Sequence, residues 1–150
     1  MTKSKTATDP AALRVGDFMA PFPFSLAPDA TLSDARYLMN KQRIRHLPVL
    51  VDGELVGVVT RTDLLEAEPS DAIALKVWEQ QHLLEKLTVQ QIMTLHPVTV
   101  TAATTLVDAA RLMLDRKIGC LPVVDENRRL RGLLTETDVL RALVDAWTPA

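Results

Sequence analysis

Apolar residues recur along the chain at two spacings. Leu32, Ala35 and Met39 fall three and four positions apart, as do Leu106, Ala109 and Met113, and each set predicts the buried stripe of a helix. Thr31-x-x-Asp34 and Thr105-x-x-Asp108 stand at their starts as capping boxes. Two nearly unbroken apolar runs, Leu47–Val51 and Leu55–Thr60, are joined by Asp52-Gly53 and predict a hairpin. Leu121–Asp125 and Leu130–Thr135 predict a second hairpin, with the longer turn Glu126 to Arg129. A short extended piece precedes each first helix, at Phe24–Leu26 and Val98–Val100, and a further helix starts near Thr62 and Thr137.

The pattern is written twice. Val15 to Ala67 aligns with Val89 to Ala142, the offset growing from 74 to 75 at an extra residue near Arg128–Arg129. Identical pairs include Val15/Val89, Met19/Met93, Ala35/Ala109, Met39/Met113, Ile44/Ile118, Pro48/Pro122, Gly57/Gly132, Thr60/Thr135 and Asp63/Asp138. Such self-similarity is the mark of a repeat architecture. The expected fold class is α/β of the α+β kind, each copy running β-α-β-β-α. The expected organisation is a tail over 1–12, repeat 1 over 13–67, a linker over 68–88 and repeat 2 over 89–146. Neither copy of about 55 residues buries much core alone, so the two are expected to share one. The stretch from Glu66 to Thr88 is helical in pattern. Pro69-Ser70-Asp71 is its start signal, and Ala74, Val77, Trp78, Gln81 and Leu84 form a mostly apolar face. That face suits packing against the core or a second subunit; a mobile lid or partner-docking helix is the alternative.

Composition narrows the function classes. Apolar residues make up 47% and charged residues 24%, and acids and bases mix to a formal charge of −2. This argues against nucleic acid or an anionic membrane as the main partner. No apolar stretch approaches the ~20 residues that span a bilayer, and Met1 to Pro10 is polar, unlike a signal peptide. Cys120 is the only cysteine, which rules out an intrachain disulfide and a cysteine-cluster metal site. A reducing cytoplasm is the expected location.

The chemistry-bearing stretch is Gly57-Val58-Val59-Thr60-Arg61-Thr62-Asp63, echoed as Gly132-Leu133-Leu134-Thr135-Glu136-Thr137-Asp138. An apolar strand runs into Thr-x-Thr-Asp at a helix start. There, free backbone N–H groups favour an anion, a hydroxyl can bond phosphate or sugar, and a carboxylate can accept both hydroxyls of a ribose. Thr60-x-x-Asp63 is equally a capping box. Placement favours a ligand role, because Thr60 and Thr135 end strands, where open α/β sheets bind ligands. The two roles can coexist.

The combination of Asp-Ala in the first helix, Leu-Pro-Val at the second strand and a closing Gly-x-x-Thr-x-x-Asp, present twice, resembles a tandem CBS domain pair. The linker's Val-Trp-Glu and Leu-Leu-x-Lys-Leu stretches resemble stand-alone bacterial pairs of the acetoin-utilisation type. The resemblance implies repeats related by a pseudo-two-fold axis, two clefts and a homodimer. It also implies regulation of an effector protein by an adenosyl ligand such as AMP, ADP, ATP or S-adenosylmethionine. Carried over by position, cleft A takes Met19, Phe24, Ile44, Arg45 and His46 with Leu133, Thr135 and Asp138. Cleft B takes Met93, Val98, Ile118, Gly119 and Cys120 with Val58, Thr60 and Asp63. Arg45 and His46 can give charge-assisted bonds to phosphate where Gly119 and Cys120 cannot, so cleft A is the expected phosphate site. The alternative is a structural module with vestigial clefts.

Nothing in the sequence forms a catalytic constellation: there is no Gly-x-Ser-x-Gly elbow, Walker-type loop or Cys–His pairing. His46, His82 and His96 form no local metal motif, and no metal or catalytic residue is expected. The methionines at 19, 39, 93 and 113 recur with the repeat and belong to its core pattern. The basic run Asn127-Arg128-Arg129-Leu130-Arg131 reads as a solvated hairpin tip.

Overall fold

A computed structural model describes residues 9–21, 23–68 and 77–148. In chain order the elements are α1 (Val15–Phe18), β1 (Ala20–Pro21), α2 (Leu32–Gln42), β2 (His46–Val51), β3 (Glu54–Thr60), α3 (Arg61–Ala67) and α4 (Val77–Lys86). They continue with β4 (Thr94–Leu95), α5 (Leu106–Arg116), β5 (Cys120–Val124), β6 (Leu130–Thr135) and α6 (Glu136–Trp147). They form two compact units, a continuous one within 23–97 and a split one that joins 9–21 to 98–148.

The continuous unit carries a three-stranded antiparallel sheet in the order β2-β3-β4. Its hairpin turns on Asp52 and Gly53, whose φ values of 50° and 81° both lie in the left-handed region that a two-residue primed turn demands. Leu32, Ala35 and Met39 on α2 pack with Leu47, Val49, Val59, Leu64, Leu84 and Val89. The α2 cap is made in full: Asp34 N–H donates to Thr31 Oγ1 at 3.1 Å and Thr31 N–H to Asp34 Oδ2 at 3.0 Å.

The split unit repeats this plan with the sheet order β1-β6-β5 and a core of Val15, Val100, Leu106, Ala109, Met113, Leu121, Val123, Leu134 and Ala142. The Thr105 cap is only half made, by Asp108 N–H donating to Thr105 Oγ1 at 3.1 Å. Asp108 turns instead to Arg111 at 3.8 Å. The longer second turn is held by Asp125. Its Oδ1 accepts from the N–H groups of Asn127 and Arg129, and its Oδ2 faces Arg131 at 3.2 Å. The Arg129 bond, aided by that from Asn127 and by the arginine charges, holds the Asp125 carboxyl below its usual pKa.

The two units trade segments. Val15, which heads the first sequence copy, is fully buried in the split unit, where its N–H donates to Thr104 O at 2.9 Å. Val89, its counterpart in the second copy, is fully buried in the continuous unit and donates to Ala30 O at 2.8 Å. β1 therefore edges the hairpin of the second copy, and β4 that of the first.

Three local expectations change. Phe24–Leu26 and Val98–Val100 do not form strands; each makes a single parallel bridge, Leu26 to Val49 and Val100 to Val123. Pro23, Pro28 and Pro97 crowd these stretches and offer no N–H to a ladder. The helix expected from Glu66 onward is interrupted, since Glu66 and Ala67 complete α3 and Glu68 is extended at φ −69°, ψ 142°. Of the apolar face expected on the linker, Leu84 is buried, but Val77 and Trp78 are 80% and 64% exposed. The start signal Pro69-Ser70-Asp71 and Ala74 lie outside the described residues, as does the tail up to residue 8. Pro10–Ala12, at the end of that tail, is a 3-10 turn capped by Asp9.

Candidate functional site

Each unit sets the entry of one strand beside the start of one helix. In the continuous unit α2 ends on Arg43, in the left-handed conformation at φ 54°. Ile44 N–H then donates back to Met39 O at 3.0 Å, and the chain enters β2 through Arg45 and His46. Arg61 N–H donates to Arg45 O at 2.8 Å, and His46 stands opposite Thr60 across the hairpin. Thr60 ends β3 and caps α3: Thr60 N–H donates to Asp63 Oδ2 at 2.8 Å, and Asp63 N–H to Thr60 Oγ1 at 3.1 Å. Val58 is buried, Phe24 is about half exposed, and Met93 lies against Gly57.

The split unit builds the same corner from Lys117, Ile118, Gly119 and Cys120. Glu136 N–H donates to Gly119 O at 3.1 Å, and Cys120 stands opposite Thr135. Thr135 N–H donates to Asp138 Oδ2 at 2.8 Å, and here the Thr135 hydroxyl also donates to Oδ2, at 3.1 Å. Asp138 is the buried charged residue among those described, and its Oδ1 faces Arg141 at 3.5 Å. Burial, and then the neighbouring Asp138 charge, push the Cys120 thiol up to about 12, which keeps it protonated and poorly nucleophilic. Leu133 is buried, Met19 lies against Gly132, and Val98 is half-buried.

Both readings of the Thr-x-x-Asp motif thus have a physical basis. The cap is real in each copy, and it uses Oδ2 of each aspartate. Asp63 Oδ1 accepts no hydrogen bond among the described residues and remains open to a donor. The eight residues of each expected cleft are divided between the two units. Met19, Leu133, Thr135 and Asp138 sit in the split unit, and Phe24, Ile44, Arg45 and His46 in the continuous one. Cleft B divides the same way, with Val98, Ile118, Gly119 and Cys120 in the split unit and Val58, Thr60, Asp63 and Met93 in the continuous one. The sequence reading passed over Arg43; the left-handed turn that brings it to the corner carries no glycine to announce it.

A concavity of about 420 Å³ lies between α2, α4 and Glu68, lined by Ser33, Tyr37, Asn40 and Gln81 among others. None of its lining residues belongs to the expected clefts. Among the described residues no cluster of His, Cys, Asp or Glu is placed to hold a metal, and no helix is long and apolar enough to cross a membrane.

Comparison with known proteins agrees with this architecture. The CBS domain family model matches residues 15–70 and 89–145. The crystal structure of CBSX2 in complex with AMP, a protein of Arabidopsis thaliana, is 36% identical with a TM-score of 0.76, covering 89% of this chain and 97% of that one. A Vibrio cholerae protein named for acetoin utilization, AcuB, is 30% identical with a TM-score of 0.73, covering 89% and 91%. The CBS domain pair of MJ0100, in complex with 5′-methylthioadenosine and S-adenosyl-L-methionine, is 27% identical with a TM-score of 0.73, covering 88% and 96%. Three curated relatives at 34–35% identity are spanned over 41%, 88% and 62% of their own lengths. The chain belongs to the CBS domain family and carries two copies of its domain.

Proposed function

We propose that this protein is a regulatory module that binds an adenine nucleotide or a related adenosyl ligand and passes the event to a partner protein or to its own assembly. The observation that carries the reading is the twice-built corner in which a strand end, a threonine hydroxyl and an aspartate meet a second strand's entry, with one oxygen of Asp63 left uncommitted. The relatives support it, since one is described in complex with AMP and another with S-adenosyl-L-methionine. Cleft A combines Met19, Phe24, Ile44, Arg45 and His46 with Leu133, Thr135 and Asp138; cleft B combines Met93, Val98, Ile118, Gly119 and Cys120 with Val58, Thr60 and Asp63. The isoleucine flanks the adenine, the aspartate holds ribose hydroxyls, and the threonine bonds ribose or phosphate. No catalytic step is assigned to these residues. The working form is a cytoplasmic homodimer acting on a separate effector. Regulation requires the ligand to favour one arrangement of the protein over another, beyond simply binding.

The caps complicate an alanine test, because removing Asp63 or Asp138 also uncaps a helix. Asparagine keeps an oxygen for the cap and removes the charge. Titration of AMP and ATP into Asp138→Asn and Asp63→Asn should show a greater loss of phosphorylated ligand from Asp138→Asn. Wild-type affinity in both variants would refute the ribose-holding role, and equal losses would refute the inequality of the clefts.

A specific observation also favours the runner-up: capping alone accounts for every hydrogen bond that Thr60 and Asp63 make to each other. On that reading the module is structural and the clefts are vestigial.

A further inference from the structure

The corners of the two units match in backbone and differ in charge. In the continuous unit, residues 43–46 and 60–63 contribute Arg43, Arg45 and Arg61 against Asp63, a formal +2. In the split unit, the equivalent 117–120 and 135–138 contribute Lys117 against Glu136 and Asp138, a formal −1. The three arginines are gathered by the fold. Arg43 and Arg45 flank Ile44 at the turn into β2, and Arg61 is joined to Arg45 by the 2.8 Å backbone bond. All three side chains are exposed, and none has an ion-pair partner among the described residues, whereas Arg36, Arg111, Arg131 and Arg141 each face a carboxylate. Unspent guanidinium groups at one edge are planar forks suited to phosphate oxygens.

We infer that the Arg43–Arg45–Arg61 edge holds the polyphosphate tail of a nucleoside di- or triphosphate, so that the protein selects ADP or ATP over AMP and over S-adenosylmethionine. The inference rests on the adenosyl-ligand reading above and adds the ligand's charge class to it. Three guanidinium groups offset by one carboxylate exceed what a single phosphate contacts, and a second and third phosphate extend along the same edge. The split unit's corner, with Glu136 where Arg61 stands, offers no such set of guanidinium groups.

Isothermal titration of the full chain with ATP, ADP, AMP, S-adenosylmethionine and inorganic triphosphate tests this. ATP should bind at least about tenfold more tightly than AMP, the scale of one charged hydrogen bond, with a steeper dependence on salt. Arg61→Gln and Arg43→Gln should bring the ATP-to-AMP ratio toward one while AMP still binds, which also reports an intact fold. Lys41→Gln, the same charge change on α2, should leave the ratio alone. Equal affinities for AMP and ATP, or a ratio unmoved by the arginine variants, would overturn this inference and leave the adenosyl reading standing. Inorganic triphosphate binding as tightly as ATP would overturn the assignment to a nucleotide. Failure of every adenosyl compound to bind would overturn both.

Discussion

Met19 lies so close over Gly132 that a Cβ there would stand 2.6 Å from its sulfur and 2.9 Å from the carbonyl oxygen of Ala20. Gly57 is covered by Met93 in the same way, with a Cβ 2.6 Å from sulfur and 3.0 Å from Thr94 O. The glycine that opens each Gly-x-x-Thr-x-x-Asp motif is thus a close approach between a hairpin and the edge strand laid on it, β1 on β6 and β4 on β3. Gly132→Ala should destabilise the protein by about 1–3 kcal/mol through overpacking, read as a lowered denaturant midpoint. Adding Met19→Ala should recover only part of it, because the Ala20 carbonyl still obstructs. Full recovery in the double variant would contradict the backbone's share of the contact.

The traded segments place stability where the order of the repeats does not. Val15 begins the first sequence copy and closes the core of the second. Val15→Ala should cost about 1–3 kcal/mol. Hydrogen exchange should quicken first in α5 and β6, with α2 and β3 less affected. Faster exchange centred on α2 and β3 would contradict the exchange of segments.

The first helices differ at their caps. Thr31 and Asp34 make both bonds of the box, whereas Thr105 is satisfied by Asp108 N–H alone. Thr31→Ala should lower stability by about 1 kcal/mol, or about 2–4 °C in Tm for a chain of this size. Asp34→Ala, which removes the bond from Thr31 N–H, should cost more than Asp108→Ala, which has no such bond to lose. Equal losses by thermal melting would show that the second bond adds nothing.

Cys120 gives stability a pH dependence in the alkaline range. Its thiol is pushed from 9.0 up to about 12 by burial and by the Asp138 charge. Above pH 9 the unfolded chain releases this proton while the folded one keeps it, so stability is full below about pH 9 and falls as the pH rises toward 12. The slope due to this group is about 1.4 kcal/mol per pH unit. Cys120→Ala should remove that slope from a urea-unfolding series. Identical slopes in both proteins would contradict it.

The repeat, both hairpins and the helix faces were legible because each rests on local chemistry. Asp52-Gly53 supplies a turn with two positive φ angles, and Leu130–Thr135 is a strand over the very residues its apolar run marks out. The trade of segments was not legible. Val15 and Val89 are the same residue in the same local pattern, so either fits either core, and only the fold decides between them. Val77 and Trp78 misled for a related reason, since a helical stripe shows which residues share a side and not how many of them a neighbour covers. At the site, the Thr-x-x-Asp motif was visible at once. The meeting of Arg61 with Arg45 depends on hairpin register, which sequence spacing does not display.

The central claim, that this pair of CBS domains senses an adenosyl ligand, is tested most directly by thermal unfolding of the full chain against AMP, ADP, ATP and S-adenosylmethionine. A ligand of the folded state stabilises it by about 2.7 kcal/mol at a hundred times its Kd. At least one compound should therefore raise Tm in a concentration-dependent, saturable manner, and Asp138→Asn should weaken the effect. An unchanged Tm with all four at millimolar concentration would contradict the claim and leave the structural reading in its place.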